Sequence, residues 1–243
     1  MSNQKSKKKT GLNVTSVSKD HWSNRGGIPK VEGTRLVVTI LNGKGLLASD
    51  VLTGKSDPIC FLWCGLPTVS TASKSTVDEF MDVTDDEECA KIGILRTKVC
   101  PTTLEPIWNE DIVFPLAVDD TYSLTQLRCL IYVRDEDIDD DDNSLSYDEL
   151  GMCEISVKDI LMHGKPLRTS IAYISKQLEL KSSPKMKKCA EGYIKVTCTL
   201  IFDEADTQKM YPEVGDGIKS LDVFLQKFQQ ILKGNFVFQH FRF

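Results

Sequence analysis

Leu127-Arg128-Cys129-Leu130-Ile131-Tyr132-Val133 runs directly into Arg134-Asp135-Glu136-Asp137, and after a further acidic stretch the chain returns through Tyr147-Asp148-Glu149-Leu150-Gly151. Leu127, Cys129, Ile131 and Val133 share one face of an extended segment, the period of a half-buried strand. Residues 150–155 read as the strand that follows. Between the two lie nine carboxylates in the fifteen residues 135–149. So dense a run excludes a nucleic-acid surface there, because phosphates are repelled. An EF-hand is the obvious rival: Asp137, Asp139 and Asp141 have one-three-five spacing and Asp148 falls at position twelve. Position six, however, is Asp142 where that turn requires glycine, and the flanks are strands, not helices.

Working outward, the same extended pattern recurs. Residues 36–41 are a β-branched run closed by Asn42-Gly43, and 59–63, 97–99, 111–116 and 176–180 are shorter runs. Residues 193–202 form the longest and clearest strand. A short helix fits residues 157–163. Eight short strands separated mostly by turns predict an all-β fold, an eight-stranded antiparallel β-sandwich with one short inter-strand helix. Residues 65–93, Ser/Thr-rich and then acidic, are expected to be an insertion between the second and third strands, with a helical turn around 77–90.

The sandwich is expected to occupy residues 33–204. Residues 1–32 are basic and without periodicity and read as a disordered lead. Lys5, Lys7, Lys8 and Lys9 there fit a solvated tail better than a lipid contact. After a linker, residues 205–243 end in an amphipathic helix with Leu221, Phe224, Leu225, Phe228, Ile231 and Leu232 on one face. That face predicts packing on the sandwich, on a neighbouring domain or on a protein partner rather than on a membrane surface, because the opposite face has few basic residues. The apolar end suggests a piece of a longer protein.

Hydrophobic residues make up 41% of the 243, charged residues 27%, and the net charge is −5. No stretch approaches a membrane span, and no secretory signal is evident. Residue 2 is Ser, which excludes myristoylation at that position. The eight cysteines include no Cys-x-x-Cys pair, so reduced cytoplasmic thiols are expected rather than zinc or disulfides. His21, His163 and His240 are isolated, no Gly-rich phosphate loop is present, and an enzyme is not expected.

A second acidic segment runs from Leu46 through Asp50 to Lys55-Ser56-Asp57-Pro58-Ile59. Like the first, it leaves and rejoins apolar strands. If both loops lie at one end of a sandwich, their carboxylates converge. Two like charges ~4 Å apart repel by ~1 kcal/mol in water and ~4 kcal/mol at an effective dielectric of 20. A hard divalent cation removes that repulsion, and calcium tolerates irregular all-oxygen shells better than magnesium. A solvated acidic loop would account for the run 139–142 but not for Asp50 and Asp57.

Lys55-Ser56-Asp57-Pro58-Ile59, then Leu104-Glu105-Pro106-Ile107-Trp108-Asn109-Glu110 with Val113-Phe114, then Asp135-Glu136-Asp137 and Asp148-Glu149-Leu150-Gly151 resemble the C2 domain, in that family's order, over about residues 33–204. The resemblance implies a C2-like sandwich whose permuted first strand stands at the C-terminal end. It implies Ca2+ held by Asp50 and Asp57 on the first loop and by Asp135, Asp137 and Asp148 on the third. The Glu136 carbonyl is a further ligand candidate, and Asp141 or Asp142 are alternatives for the place given to Asp148. The implied partner is an anionic phospholipid membrane that completes the calcium shell, with Val51, Leu52, Leu145 and Tyr147 as loop tips inserting into it. Such a module is cytoplasmic and peripheral to the membrane. Residues 59–66 lack the lysine cluster that many members carry for phosphoinositides. Two other readings remain open at this point: a calcium-independent protein-interaction module, and the targeting domain of a larger enzyme or trafficking factor.

Overall fold

The alternation of Leu36, Val38 and Ile40 with Arg35, Val37 and Thr39 sets one edge of the core, and the same two-residue period in the last strand sets its centre. A computed structural model describes residues 33–50, 52–66, 89, 93–116, 121–138, 145–168, 171–183, 186 and 188–203. The basic lead, most of the 65–93 insertion, and the C-terminal amphipathic helix with its proposed protein contact lie outside these.

The elements are β1 (Arg35–Lys44), β2 (Pro58–Gly65), β3 (Leu95–Arg96), β4 (Ile107–Pro115), α1 (Thr121–Gln126), β5 (Arg128–Ile138), β6 (Leu145–Ser156), α2 (Val157–His163), β7 (Lys165–Arg168), β8 (Ile171–Glu179) and β9 (Tyr193–Ile201). They form two antiparallel sheets, ordered β4-β1-β9-β8-β7 and β3-β2-β5-β6. β9 sits between β1 and β8, where the expected permutation puts the last strand. The sandwich therefore stands as read, with a second short inter-strand helix, α1, and a ninth strand that the sequence pattern did not mark, β7. It is only four residues long and contains Pro166, which masks a strand signature. The third strand also lies at Leu95–Arg96 rather than 97–99. Thr97 instead exchanges hydrogen bonds with Cys60 of β2, its N–H donating to the Cys60 carbonyl and its Oγ1 accepting from the Cys60 N–H.

The core lies between the sheets. Leu36, Val38, Ile40, Ile112 and Phe114 face Leu62, Ile131, Val133 and Ile155 across it, with Ile194, Val196 and Leu200 of β9 at its middle. Trp108 ties the layers: its ring is buried, and Nε1 donates to the Pro58 carbonyl on β2 at 3.3 Å. A second apolar cluster, with Ile59, Phe61, Leu130 and Tyr132, covers the other face of the four-stranded sheet and includes Cys89 and Ile94 at the end of the insertion. The buried Arg134 guanidinium lies over the Phe61 ring there at 4.9 Å, a cation–π contact.

The helix expected at 157–163 forms with those bounds. Ser156 caps it by accepting the Asp159 N–H at 3.0 Å, and the chain crosses from one sheet to the other along it. Gly192, at φ +78, enters β9 beneath the end of β1. A Cβ on it would sit 2.3 Å from the carbonyl oxygens of both Lys44 and Gly45. Gly192→Ala is therefore expected to cost at least the roughly 1–3 kcal/mol of a strained backbone position, read as a lowered denaturant midpoint.

Candidate metal centre

The first loop is folded by its own short polar residues. Asp50 accepts the Gly54 N–H at 3.0 Å and donates its N–H to Lys55 at 3.1 Å, closing a tight turn. The Thr53 hydroxyl donates to Asp50 Oδ2 at 3.1 Å. Buried Ser56 fastens the base: its hydroxyl donates to the Leu47 carbonyl and accepts the Ser49 N–H, both at 3.0 Å. Asp57 follows, one residue before β2.

The third loop is the β5–β6 hairpin, whose strands reach into the acidic stretch, β5 to Ile138 and β6 from Leu145, rather than stopping before it. Val133 pairs with Gly151 but Arg134 pairs with Glu149, so one residue of β6, Leu150, is extra. This bulge sets the site. Without it Asp135 would face Glu149; with it Asp135 pairs with Asp148. Bulges characteristically re-aim side chains in this way next to functional sites.

The two loops meet at the same end of the sandwich. Asp50, Asp135 and Asp137 each bring a carboxylate oxygen within 4.8 Å of the others. Asp135 is 1% exposed. Its Oδ1 accepts the Asp57 N–H, while Oδ2 is buried with no hydrogen-bond partner. Asp57 Oδ1 accepts the Thr102 N–H, and the Ser49 hydroxyl donates to Asp148 Oδ2 at 2.9 Å. Asp57 and Asp148 thus border the triad, each with one oxygen committed to a protein donor.

Burial, more than repulsion, pushes the Asp135 carboxyl up to about 6; the charges of Asp137, Asp50 and Asp57 add to the rise and the Asp57 N–H opposes it. Asp137 is raised likewise, by burial and then by Asp50, Asp148 and Asp57. A carboxyl raised in the folded state binds its proton more tightly there than in the unfolded chain. Its contribution to stability is full below the ordinary value of 3.8 and lost as pH rises through about 6. In calcium-free buffer, Asp135→Asn should therefore melt above wild type near pH 7, and the gap should narrow by about pH 5.

The other expected residues fall variously. Glu136 turns its carboxylate to the Tyr147 hydroxyl, which donates to it at 3.1 Å. Asp141, Asp142 and Val51 lie outside the described residues. Leu52 is 100% exposed at the first loop and Leu145 is exposed at the third. Tyr147, expected at a loop tip, is instead turned onto the sheet: its ring meets Phe61 edge-on at 5.2 Å and its hydroxyl accepts from Arg96 at 3.3 Å. The strand runs further toward the loop than its composition suggests, so Tyr147 sits within β6. Ile138, 62% exposed, pairs with Leu145 at the last described rung of the hairpin and is the exposed apolar side chain there that the sequence reading passed over. An isolated apolar residue inside an acidic run was its only signal. Ser49 and the Thr102 N–H were also missed, the latter because a backbone donor leaves no mark on the sequence.

The donor set is oxygen only, the preference of a hard cation such as calcium, and the unpartnered buried Asp135 oxygen is the atom such an ion would satisfy. A family model described as the C2 domain matches residues 34–82 and 74–172, more than half of the chain. The chain belongs to the C2 domain family. Among solved structures this C2 domain is similar to a C2 domain of plant Extended Synaptotagmin 1, at 16% identity over 70% of this chain and 97% of that one, with a TM-score of 0.43. It is similar also to human GIVD cytosolic phospholipase A2, at 17% identity over 71% of this chain, with a TM-score of 0.43; it spans 17% of that enzyme's length. The paired C2 domains of Extended-Synaptotagmin 2 match at 14% identity over 70% of this chain and 40% of that one, TM-score 0.40. No curated protein sequence matches. Among the described residues of this C2 domain, no helix is long and apolar enough to cross a membrane.

Proposed function

We propose that this C2 domain binds calcium between its first and third loops and uses the charged site to dock, as a peripheral module, on anionic phospholipid surfaces. The observation that carries it is the convergence of the Asp50, Asp135 and Asp137 carboxylates, one of which, Asp135, keeps a buried oxygen without a protein donor. Asp50, Asp135 and Asp137 would hold the ion, with Asp57 and Asp148 offering the oxygens that Thr102 and Ser49 leave over. Calcium would supply positive charge and coordination positions for lipid phosphate or carboxylate. The chain's own residues do the rest. Ser56 and the bulge at Leu150 hold the carboxylates together before any ion arrives, so that binding requires little rearrangement. Without a cation the carboxylates repel an anionic leaflet; once their charge is reversed, the same surface is attracted. Leu52, Leu145 and Ile138 stand exposed at the loop ends, where each can bury part of the ~1.5–3 kcal/mol of a fully desolvated side chain.

On this account the chain is a binding module rather than an enzyme, and cleavage of the bound lipid is not expected. Sedimentation with phosphatidylserine vesicles tests it: pelleting with calcium, none with chelator, and weakening as salt rises. Equal pelleting in calcium and chelator would remove the calcium switch. No pelleting in either would leave a C2 scaffold for protein contacts.

A further inference from the structure

Two of the eight cysteines face each other. Cys64 on β2 and Cys129 on β5 are direct partners in an unbroken register running from Pro58↔Asp135 to Gly65↔Arg128. The hydrogen bonds along β2 fix what kind of pair this is. The Asp57 carbonyl accepts the Glu136 N–H, so the odd-numbered peptide groups of β2 turn toward β5. The even-numbered groups turn away: the Pro58 carbonyl accepts from Cys100, and Cys60 exchanges both bonds with Thr97. Cys64 is even-numbered and therefore stands in a non-hydrogen-bonded pair with Cys129. Such pairs have Cα atoms ~4.5 Å apart, the closest approach in an antiparallel ladder. Disulfides span Cα separations of about 4.4–6.8 Å. Both side chains point into the space between the sheets, where Cys129 is fully buried and Cys64 is half-buried at the margin.

We propose that Cys64 and Cys129 are the two halves of a cross-strand disulfide that a peroxide closes between β2 and β5. Half-buried Cys64 is the entry point. Its sulfur takes one oxygen from hydrogen peroxide, becoming a sulfenic acid as the O–O bond breaks and water leaves. The Cys129 sulfur then attacks Cys64, the S–O bond breaks, and a second water carries off the oxygen and the Cys129 proton. Two thiols are oxidised and one peroxide is reduced to two waters. Burial pushes the Cys64 thiol up to about 12 and Cys129 well above its ordinary range, so closure is slow at neutral pH and faster in alkali. The bond would join the two middle strands of the four-stranded sheet, at the end of the ladder away from Asp57 and Asp135, and it does not depend on the cation reading.

Peptide mapping of the full chain after peroxide treatment tests this, with unreacted thiols alkylated under denaturing conditions without reductant. Trypsin leaves Cys129 alone in peptide 129–134 and places Cys60 with Cys64 in 56–74. The expected product is these two peptides joined, lighter by two hydrogens than their sum, with fragment ions placing the link on Cys64. It should disappear on reduction, and Cys64→Ser and Cys64→Ala should both return Cys129 as free, alkylated thiol. Exposed Cys189 serves as the internal control for oxidation. Once Cys189 is fully oxidised, recovery of all Cys129 as alkylated thiol, or its linkage to any cysteine other than Cys64, would overturn the proposal.

Discussion

Replacing Asp135 and Asp137 together by asparagine should make the calcium-free protein more stable and leave it indifferent to calcium. The two effects have one cause. In the wild type, three carboxylates hold oxygens within 4.8 Å of one another, one of them buried without a donor on its free oxygen. Two like charges at about 4 Å repel by ~1 kcal/mol in water and ~4 kcal/mol at an effective dielectric of 20. Because Asp50 and Asp137 are half-exposed, screening places the expected gain near the low end, about 1–2 kcal/mol. For a domain of this size that is a rise of roughly 2–8 °C in melting temperature. In excess calcium the order should reverse, since an ion that binds only the folded wild type adds stability by mass action and the variant has lost its ligands. Melting curves of both proteins, in calcium and in chelator, check this. A variant that melts below wild type in both conditions would mean that the aspartates are structural acceptors rather than ligands.

The second large effect concerns the scaffold. Trp108→Ala should destabilise the sandwich by about 3–5 kcal/mol, the range for emptying a buried aromatic site. Trp108 bridges the layers, rising from β4 of one sheet to donate to Pro58 of the other. Its ring also lies against Gly43, where an added Cβ would come within 3.4 Å of it. Trp108→Phe keeps an aromatic body and loses the hydrogen bond, so its cost should be nearer 1 kcal/mol plus the smaller ring's gap. Denaturant midpoints for the two variants separate packing from hydrogen bonding. Pro58 begins the strand that follows Asp57, so the alanine variant should weaken calcium binding too, through misplacement of the first loop.

Much of this was legible in the residues. Alternation through β9, with Ile194, Val196, Cys198 and Leu200 on the core face, marks a central strand. The first half of β5 was readable as a strand but is buried on both faces rather than half-buried, Leu130 and Tyr132 lying in the second apolar cluster. The helix at Val157–His163 was readable because Ser156 and Asp159 supply a cap. The two acidic loops were readable as partners because each leaves and rejoins an apolar strand, and a solvated run at 139–142 does not account for Asp50 and Asp57 on the other loop. What was hidden depends on register. Whether Asp148 or Glu149 faces Asp135 turns on the single extra residue Leu150, and composition carries no trace of which residue is extra. The commitment of Asp57 to the Thr102 N–H is equally silent, since any residue supplies that donor. Tyr147 was misplaced for a related reason: an aromatic next to an acidic loop looks like a tip until the strand is seen to continue beneath it and Phe61 to receive the ring.

Isothermal titration of the full chain with calcium, beside the Asp135→Asn/Asp137→Asn variant, tests the central claim most directly. The account predicts a saturable binding heat for the wild type that vanishes in a variant shown by its melting curve to be folded. No binding heat in the wild type, or the same heat in both proteins, would contradict it.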